Sequence, residues 1–297
     1  MPSWGDVLKE LQATPVPIDV VRRKYLAQLH QKTKRNVIAY YSGWLRHPNA
    51  FGAQITDDDK NGLMATIHGL DRKLGLDLIL HTPGGETAAT ESLVDYLRRM
   101  FGTDIRAIVP QLAMSAGTMI ACAAKEIIMG KESNLGPIDP QFNGIPAHGV
   151  IQEFDTALKA IKNDPQSIPL WQVIVGKYHP TFLGECQQAI EWSKEIVTNW
   201  LETGMFKGLP EARKYAEIVV ENISDHGKTK THSRHFSIDD CKKFGLKIIA
   251  LEEDSELQDL VLTTHHCFMQ TFANAPAVKI VENHLGIALM NFIQQKS

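Results

Sequence analysis

Leu78-Ile-Leu-His-Thr-Pro-Gly-Gly-Glu86 and, about thirty residues later, Ile108-Val-Pro-Gln-Leu-Ala-Met-Ser-Ala-Gly-Thr-Met-Ile120 decide how this chain reads. Each starts as an apolar run with the character of a buried parallel strand and empties into small residues. Gly84-Gly85 supply backbone N–H groups with no side chain in the way, and Ser115 stands where a strand gives way to a helix. A hydroxyl nucleophile beside a glycine amide is the minimum equipment for acyl transfer through an oxyanion.

Outward from these stretches the pattern repeats. Asn36-Val-Ile-Ala-Tyr-Tyr-Ser-Gly43 is a first strand, and Thr56 before Asp57-Asp-Asp59 opens a helix predicted to run to about Leu74, its acids favourable at the positive end of the helix dipole. Leu76–His81, Asp104–Val109 and Glu126–Met129 are further strands, with a helix over Thr87–Met100 and a short apolar one from Ser115 to about Lys125. Alternating strands and helices predict right-handed βαβ crossovers and a parallel sheet. The helix opened by Ser115 is apolar on every side and belongs inside the molecule. A serine at the mouth of a buried helix costs free energy unless it is hydrogen-bonded or used.

Asn134–Gln141, with Gly136, Pro137 and Pro140, is turn-rich, and the character changes after it. Helices are predicted over Val150–Lys162, Thr181–Gly204, Pro210–Asn222, Ser237–Gly245 and Asp254–Ala273, with a polar linker at Asp164–Pro169 and a brief strand at Lys247–Leu251. Val278–Glu282 and Gly286–Asn291 form a terminal hairpin. The fold class is therefore α/β, with a core over 36–145 and a mainly helical part over 146–297. An N-terminal helical arm over 1–35 precedes them, its helix Val20–Leu29 preceded by Asp19 as a cap and suited to packing or to an oligomer contact.

The 297 residues are 43% hydrophobic and 22% charged with a formal net charge of -3, so no basic face recommends nucleic acid as partner. The start, Met1 to Leu11, lacks the pattern of a leader, and no apolar stretch approaches the ~18 residues of a membrane span. A cytoplasmic enzyme without membrane insertion is expected. Cys122, Cys186, Cys241 and Cys267 lie far apart without C-x-x-C spacing and read as reduced, mostly buried thiols. His232 with His235, and His265-His266-Cys267, are the metal-ligand candidates. Adjacent helical residues do not share a face and no second ligand pair stands at zinc spacing, so neither metal nor cofactor is predicted.

Ala113-Met-Ser-Ala-Gly117 approaches the G-x-S-x-G nucleophile elbow with alanine in place of the first glycine, and the plainer reading is that Ser115 caps its helix. The succession Thr82-Pro-Gly-Gly85, Met114-Ser-Ala-Gly-Thr-Met119 and Ser133-Asn-Leu-Gly-Pro-Ile-Asp-Pro-Gln141 resembles the Clp-protease/crotonase fold. Within that fold it is most similar to the serine proteases related to signal peptide peptidase A, and among them to the serine dehydrogenase proteinases. The resemblance implies a spiral of βαβ units, Ser115 as nucleophile, and the backbone N–H groups of Gly85 and Ala116 as oxyanion hole, with Gly84 in support. It also implies peptide or unfolded-protein substrates and a homo-oligomer with its sites in an internal chamber; it names no ATPase partner.

The base is less plainly marked. The Clp proteolytic subunit uses a histidine about twenty-five residues after its serine, and this chain has none there. Signal-peptide-peptidase relatives use a lysine, which acts as a base only when desolvation makes it neutral. Lys177, in the apolar run Trp171–Tyr178 before a long helix, is the first candidate; Lys159, Lys162, His148 and His179 are alternatives. Asp139 and Gln141 either orient a base or hold a water, or are turn residues satisfying local backbone. Glu86 either shapes a pocket or opens a helix. Two other classes remain: a crotonase-type acyl-CoA enzyme using the same amides on a thioester, and a catalytically silent oligomeric scaffold.

Overall fold

The computed structural model describes residues 9–10, 18–225 and 231–293. Of the arm expected over 1–35, residues 1–8 and 11–17 lie outside the described residues. The strands that build the main sheet are β1 (Asn36–Ser42), β2 (Leu76–His81), β3 (Ile105–Val109), β5 (Glu126–Met129), β9 (Ile248–Ala250), β10 (Ala277–Asn283) and β11 (Ala288–Phe292). They lie in the order β11-β10-β1-β2-β3-β5-β9. Strands β1, β2, β3, β5 and β9 run parallel, and the terminal hairpin β10–β11 adds antiparallel to β1.

The two-residue period of a strand explains why these segments read as continuous apolar runs. Ile38, Tyr40, Leu76, Leu78, Leu80, Val109 and Met129 enter the core on one face, and Val37, Ala39, Tyr41, Ile79, Ile108 and Ile128 that on the other. The first face is covered by α2 (Asp59–Ile67), α3 (Thr87–Phe101), α4 (Ala116–Cys122), α7 (Phe182–Thr203) and α8 (Ala212–Ser224). The second is covered by α1 (Ile18–Thr33) and α10 (Ser255–Asn274), which pack on each other. Asp19 lies in the first turn of α1 and pairs with Arg22 at 2.9 Å, while the fully buried Arg22 also pairs with the fully buried Glu282 of β10.

Two expectations shift. The helix from Thr56 ends at Ile67, because Gly69 adopts φ +79 and the chain continues only as a single 3₁₀ turn over Arg72–Leu74. The linker after α5 (Ala147–Asn163) is one 3₁₀ turn running into an unpredicted helix α6 (Ile168–Val175), whose Pro169 sits in the first turn where no amide is needed. Ser237 caps α9 (Ile238–Lys243) as expected, in a capping box with Asp240. Off the main sheet, β4 (Leu112–Ala113) pairs in parallel with β6 (Asn134–Leu135), and β7 (Gln141–Phe142) with β8 (Ile145–Pro146) makes a small hairpin.

Candidate active site

The chain reaches Ser115 through a bridge between neighbouring strand ends: Thr82 N–H donates to Leu112 O and Met114 N–H to Thr82 O, both at 3.0 Å. Ser115 itself adopts φ 51, ψ −115, and α4 begins at the next residue. A serine in that region of backbone space costs roughly 1–3 kcal/mol and persists only where the surroundings impose it. The strand, strained serine and helix are the elbow that Ala113–Gly117 approximated. Only small residues fit behind it: a Cβ on Gly117 would fall 2.5 Å from Thr82 Cγ2. Ser115 occupies the N-cap position yet makes no side-chain cap hydrogen bond, so its hydroxyl is not serving the helix.

The glycines pack directly on this turn. Gly84 has φ +102, and a Cβ there would lie 2.7 Å from Ser115 Cβ and 3.0 Å from Ala116 N. At Gly85 a Cβ would strike the Ile55 backbone at 2.3 Å. Ile55 N–H donates to Gly84 O at 2.8 Å and Glu86 N–H to Ile55 O at 3.0 Å, so the bridge to Ile55 uses the groups on either side of Gly85. The Gly85 N–H therefore faces the opposite way. Ala116, the first residue of α4, has no intrahelical acceptor for its own N–H.

The turn Asn134–Gln141 is clamped against the elbow. Thr118 Oγ1 donates to Ala113 O at 2.8 Å and accepts from Gly136 N–H at 2.9 Å, and a Cβ on Gly136 would strike Met114 Cε at 2.5 Å. Ile138 N–H donates to Ile223 O at 3.0 Å, and Leu135 exchanges backbone hydrogen bonds of 3.1 and 2.8 Å with Phe236. That exchange carries the segment before α9 alongside the turn. There His232 Nδ1 lies 2.7 Å from Oδ1 of Asp139, whose side chain is fully buried, while His232 is 24% exposed. A carboxylate accepts, so Nδ1 carries a hydrogen, and in the neutral ring that tautomer leaves the lone pair on Nε2.

A cavity of about 810 Å³ joins these parts: Ser115, Ala116, Gly84, Gly85, Asp139, Gln141 and His232 all line it, with Glu86 at the start of α3. Met119, Ile138 and Trp192 give it apolar wall. None of the five base candidates read from the sequence is among its lining residues. Lys177 is exposed beyond the end of α6, and Lys159 and Lys162 are exposed on α5. His148 is half-buried on α5, and His179 is exposed and 3.7 Å from Glu185. His232, which the sequence offered only as a metal ligand, is in the cavity instead. Its contact with Asp139 spans 93 residues and no short spacing announces it. The visible signals were indirect: a strand-forming Phe236 just before the Ser237 cap.

Behind the glycine loop, His81 ends β2 and is fully buried among Trp44, Tyr41 and His265, with ring centroids 4.4 Å from Trp44 and 5.1 Å from His265. Burial, with His265 nearby, holds its pKa well below the usual histidine value. The four cysteines are unpaired and buried. Among the described residues no three His, Cys, Asp or Glu side chains are grouped to hold a metal ion, and no helix is long and apolar enough to cross a membrane.

The chain is similar in sequence to known proteins. The chain is 28% identical over 216 residues to the uncharacterized protein MJ0137 of Methanocaldococcus jannaschii, covering 73% of this chain and 66% of that one. It is 37% identical over 100 residues to MJ1495 of the same organism, covering 34% of each. The chain thus spans just under two thirds of the first relative's length and about one third of the second's. A solved structure, a mutant of the 1510-N membrane-bound stomatin-specific protease, superposes with a TM-score of 0.41 at 17% identity over 70% of this chain and 79% of that one. Residues 16–282 match the family described as ClpP-like SDH-type serine proteinase, and with that match over most of its length the chain belongs to this serine proteinase family.

Proposed function

We propose that the chain is a serine endopeptidase acting on unfolded or flexible polypeptides, with Ser115 as nucleophile and His232 as its base. The observation that carries this reading is that the strained Ser115 and the Asp139-bound His232 line one cavity. Ser115 Oγ attacks the scissile carbonyl carbon and passes its proton to His232 Nε2. Asp139 holds the ring in the required tautomer and stabilises the imidazolium that forms. The amides of Gly85 and Ala116 donate to the oxyanion, in a wall where no side chain intervenes. Collapse of the intermediate breaks the C–N bond, the leaving amine takes the proton from His232, and an ester to Ser115 remains. Water, deprotonated by the same imidazole, then hydrolyses the ester.

Lys177 is the weaker base on physical grounds, since a lysine serves in that role only when desolvated and Lys177 is exposed. A quenched fluorescent casein assay tests the reading: Ser115→Ala abolishes turnover, and retained turnover overturns it. The same reading includes a homo-oligomer. Leu158, Leu170 and Val173, 68%, 63% and 66% exposed, present apolar surface that the protomer leaves uncovered. Light scattering of the intact chain against Leu170→Glu tests this; a monomer in both contradicts it. Four reduced thiols suit a reducing compartment such as the cytoplasm. Cell fractionation that places the chain outside the cytoplasm contradicts that part.

A further inference from the structure

A second cavity, of about 1060 Å³, lies beside the first and shares Gln54, Pro83 and Glu86 with it. The two adjoin along these residues, at the edge of the glycine loop, and we read them as halves of one groove. Three aromatic rings line the second half, Trp44, Phe51 and Phe292, and two of them are strongly exposed: Phe51 at 93% and Phe292 at 52%. Exposed rings of this size are costly on a surface that nothing covers.

The charge of this half is one-sided. Asp57, Asp58 and Glu86 line it and are exposed. The single lysine in the lining, Lys279, is 2% exposed, and its Nζ donates to both oxygens of Asp59 at 2.7 and 2.9 Å and to Gln54 O at 2.6 Å. That ammonium is buried and bonded to Asp59, and only its longer-range field reaches Asp58. Lys60, in the first turn of α2, points its ammonium to Ser92 on α3. Rings that present negative π-faces, with exposed carboxylates beside them, suit a cation on an apolar stem.

We propose that this second half is a substrate subsite that selects an arginine or lysine side chain of the polypeptide, at a position removed from the scissile bond. The occupant is the substrate itself, because the subsite is continuous with the cavity holding Ser115. The proposal rests on the proteolytic reading above for its substrate. Uptake of the cation needs no bond change; its guanidinium or ammonium lies against Phe51 and Trp44, with Asp57 and Asp58 neutralising it.

Two measurements on the full chain test it. Internally quenched peptides carrying a single Arg, Ala or Glu at successive positions on both sides of the cleaved bond are compared for kcat/KM. At one position Arg is expected to exceed Glu by about tenfold or more, chiefly through KM, and the ratio should shrink as salt is raised. Asp57→Asn with Asp58→Asn, and separately Phe51→Ala, should cut that ratio to about twofold or less. The second measurement does not depend on turnover: fluorescence anisotropy of the Arg and Glu peptides on Ser115→Ala protein, with and without the Asp57 and Asp58 substitutions. Equal binding of the two peptides, or a preference for Arg that survives the double substitution, overturns the subsite. Loss of all cleavage by the wild-type chain with the Arg preference kept in binding would sink the proteolytic reading and leave the subsite standing.

Discussion

Asp139 and His232 stand 93 residues apart in sequence and 2.7 Å apart in space, on the wall of the cavity that contains Ser115. The carboxylate fixes which ring nitrogen carries the hydrogen. Asparagine at 139 can present its NH₂ to the ring and favour the other tautomer, leaving no lone pair on Nε2. Asp139→Asn is therefore expected to lower kcat by about 10³–10⁴-fold with little change in KM. Steady-state kinetics on a quenched peptide checks it; a fall of less than tenfold would remove Asp139 from the reaction.

The backbone of Ser115 makes a separate prediction about stability. At φ 51, ψ −115 a Cβ is strained, and only glycine takes that conformation freely. Ser115→Ala keeps the strain and Ser115→Gly relieves it, against an entropy cost for glycine of about 0.5–1 kcal/mol. The glycine variant should be more stable than the alanine variant by about 1 kcal/mol in urea unfolding, although both lack the Ser115 hydroxyl. Equal midpoints would mean the elbow carries no strain.

Burial lowers the pKa of His265 to about 3 and holds that of His81 well below its usual value, each with a neighbouring imidazole adding to the effect. In the unfolded chain both titrate near the ordinary value of about 6.5. Below that pH the unfolded state binds protons that the folded state refuses, so stability falls as pH drops from about 6.5 toward the folded pKa values. Each histidine contributes a slope of up to about 1.4 kcal/mol per pH unit. His81 has no hydrogen-bond partner on either ring nitrogen among the described residues, so His81→Phe removes its share without orphaning a partner. Urea midpoints measured from pH 7 to 4.5 should fall for the wild type and fall less steeply for the variant.

Lys279 and Asp59, 2% and 1% exposed, tie the terminal hairpin to the start of α2. Burial makes the ammonium easier to deprotonate and Asp59 opposes that. Asp59→Ala strands the ammonium and also deprives Tyr40 of its acceptor, and is expected to cost about 3–5 kcal/mol. Adding Lys279→Met should recover part of the loss, because the stranded charge is then gone. A double variant no more stable than Asp59→Ala would show that the ion pair is not what holds the hairpin.

Much of this fold was legible because its signals are local. The parallel strands announced themselves as apolar runs, since both faces of β1, β2, β3 and β5 are buried, and the Ser115 turn and the glycine loop carry their meaning within a few residues. Helix α6 was missed because Ile168–Val175 is apolar without amphipathic spacing, and it leaves no residue fully buried. The pairing of His232 with Asp139 was beyond reach for a different reason. It depends on Leu135 meeting Phe236, a long-range bridge that no window of sequence contains. Lys177 was attractive because its neighbours are apolar, yet those neighbours lie on a helix that is itself exposed.

The central claim is that Ser115 is activated by His232, and the rate of labelling by a serine-directed phosphonate tests it most directly. Intact-mass kinetics would be followed for the wild type, Ser115→Ala, His232→Ala and Lys177→Ala. Labelling of the wild type at Ser115, none in Ser115→Ala, a fall of about 10³-fold or more in His232→Ala and an unchanged rate in Lys177→Ala are predicted. A His232→Ala rate equal to that of the wild type, with Lys177→Ala inert, would contradict it.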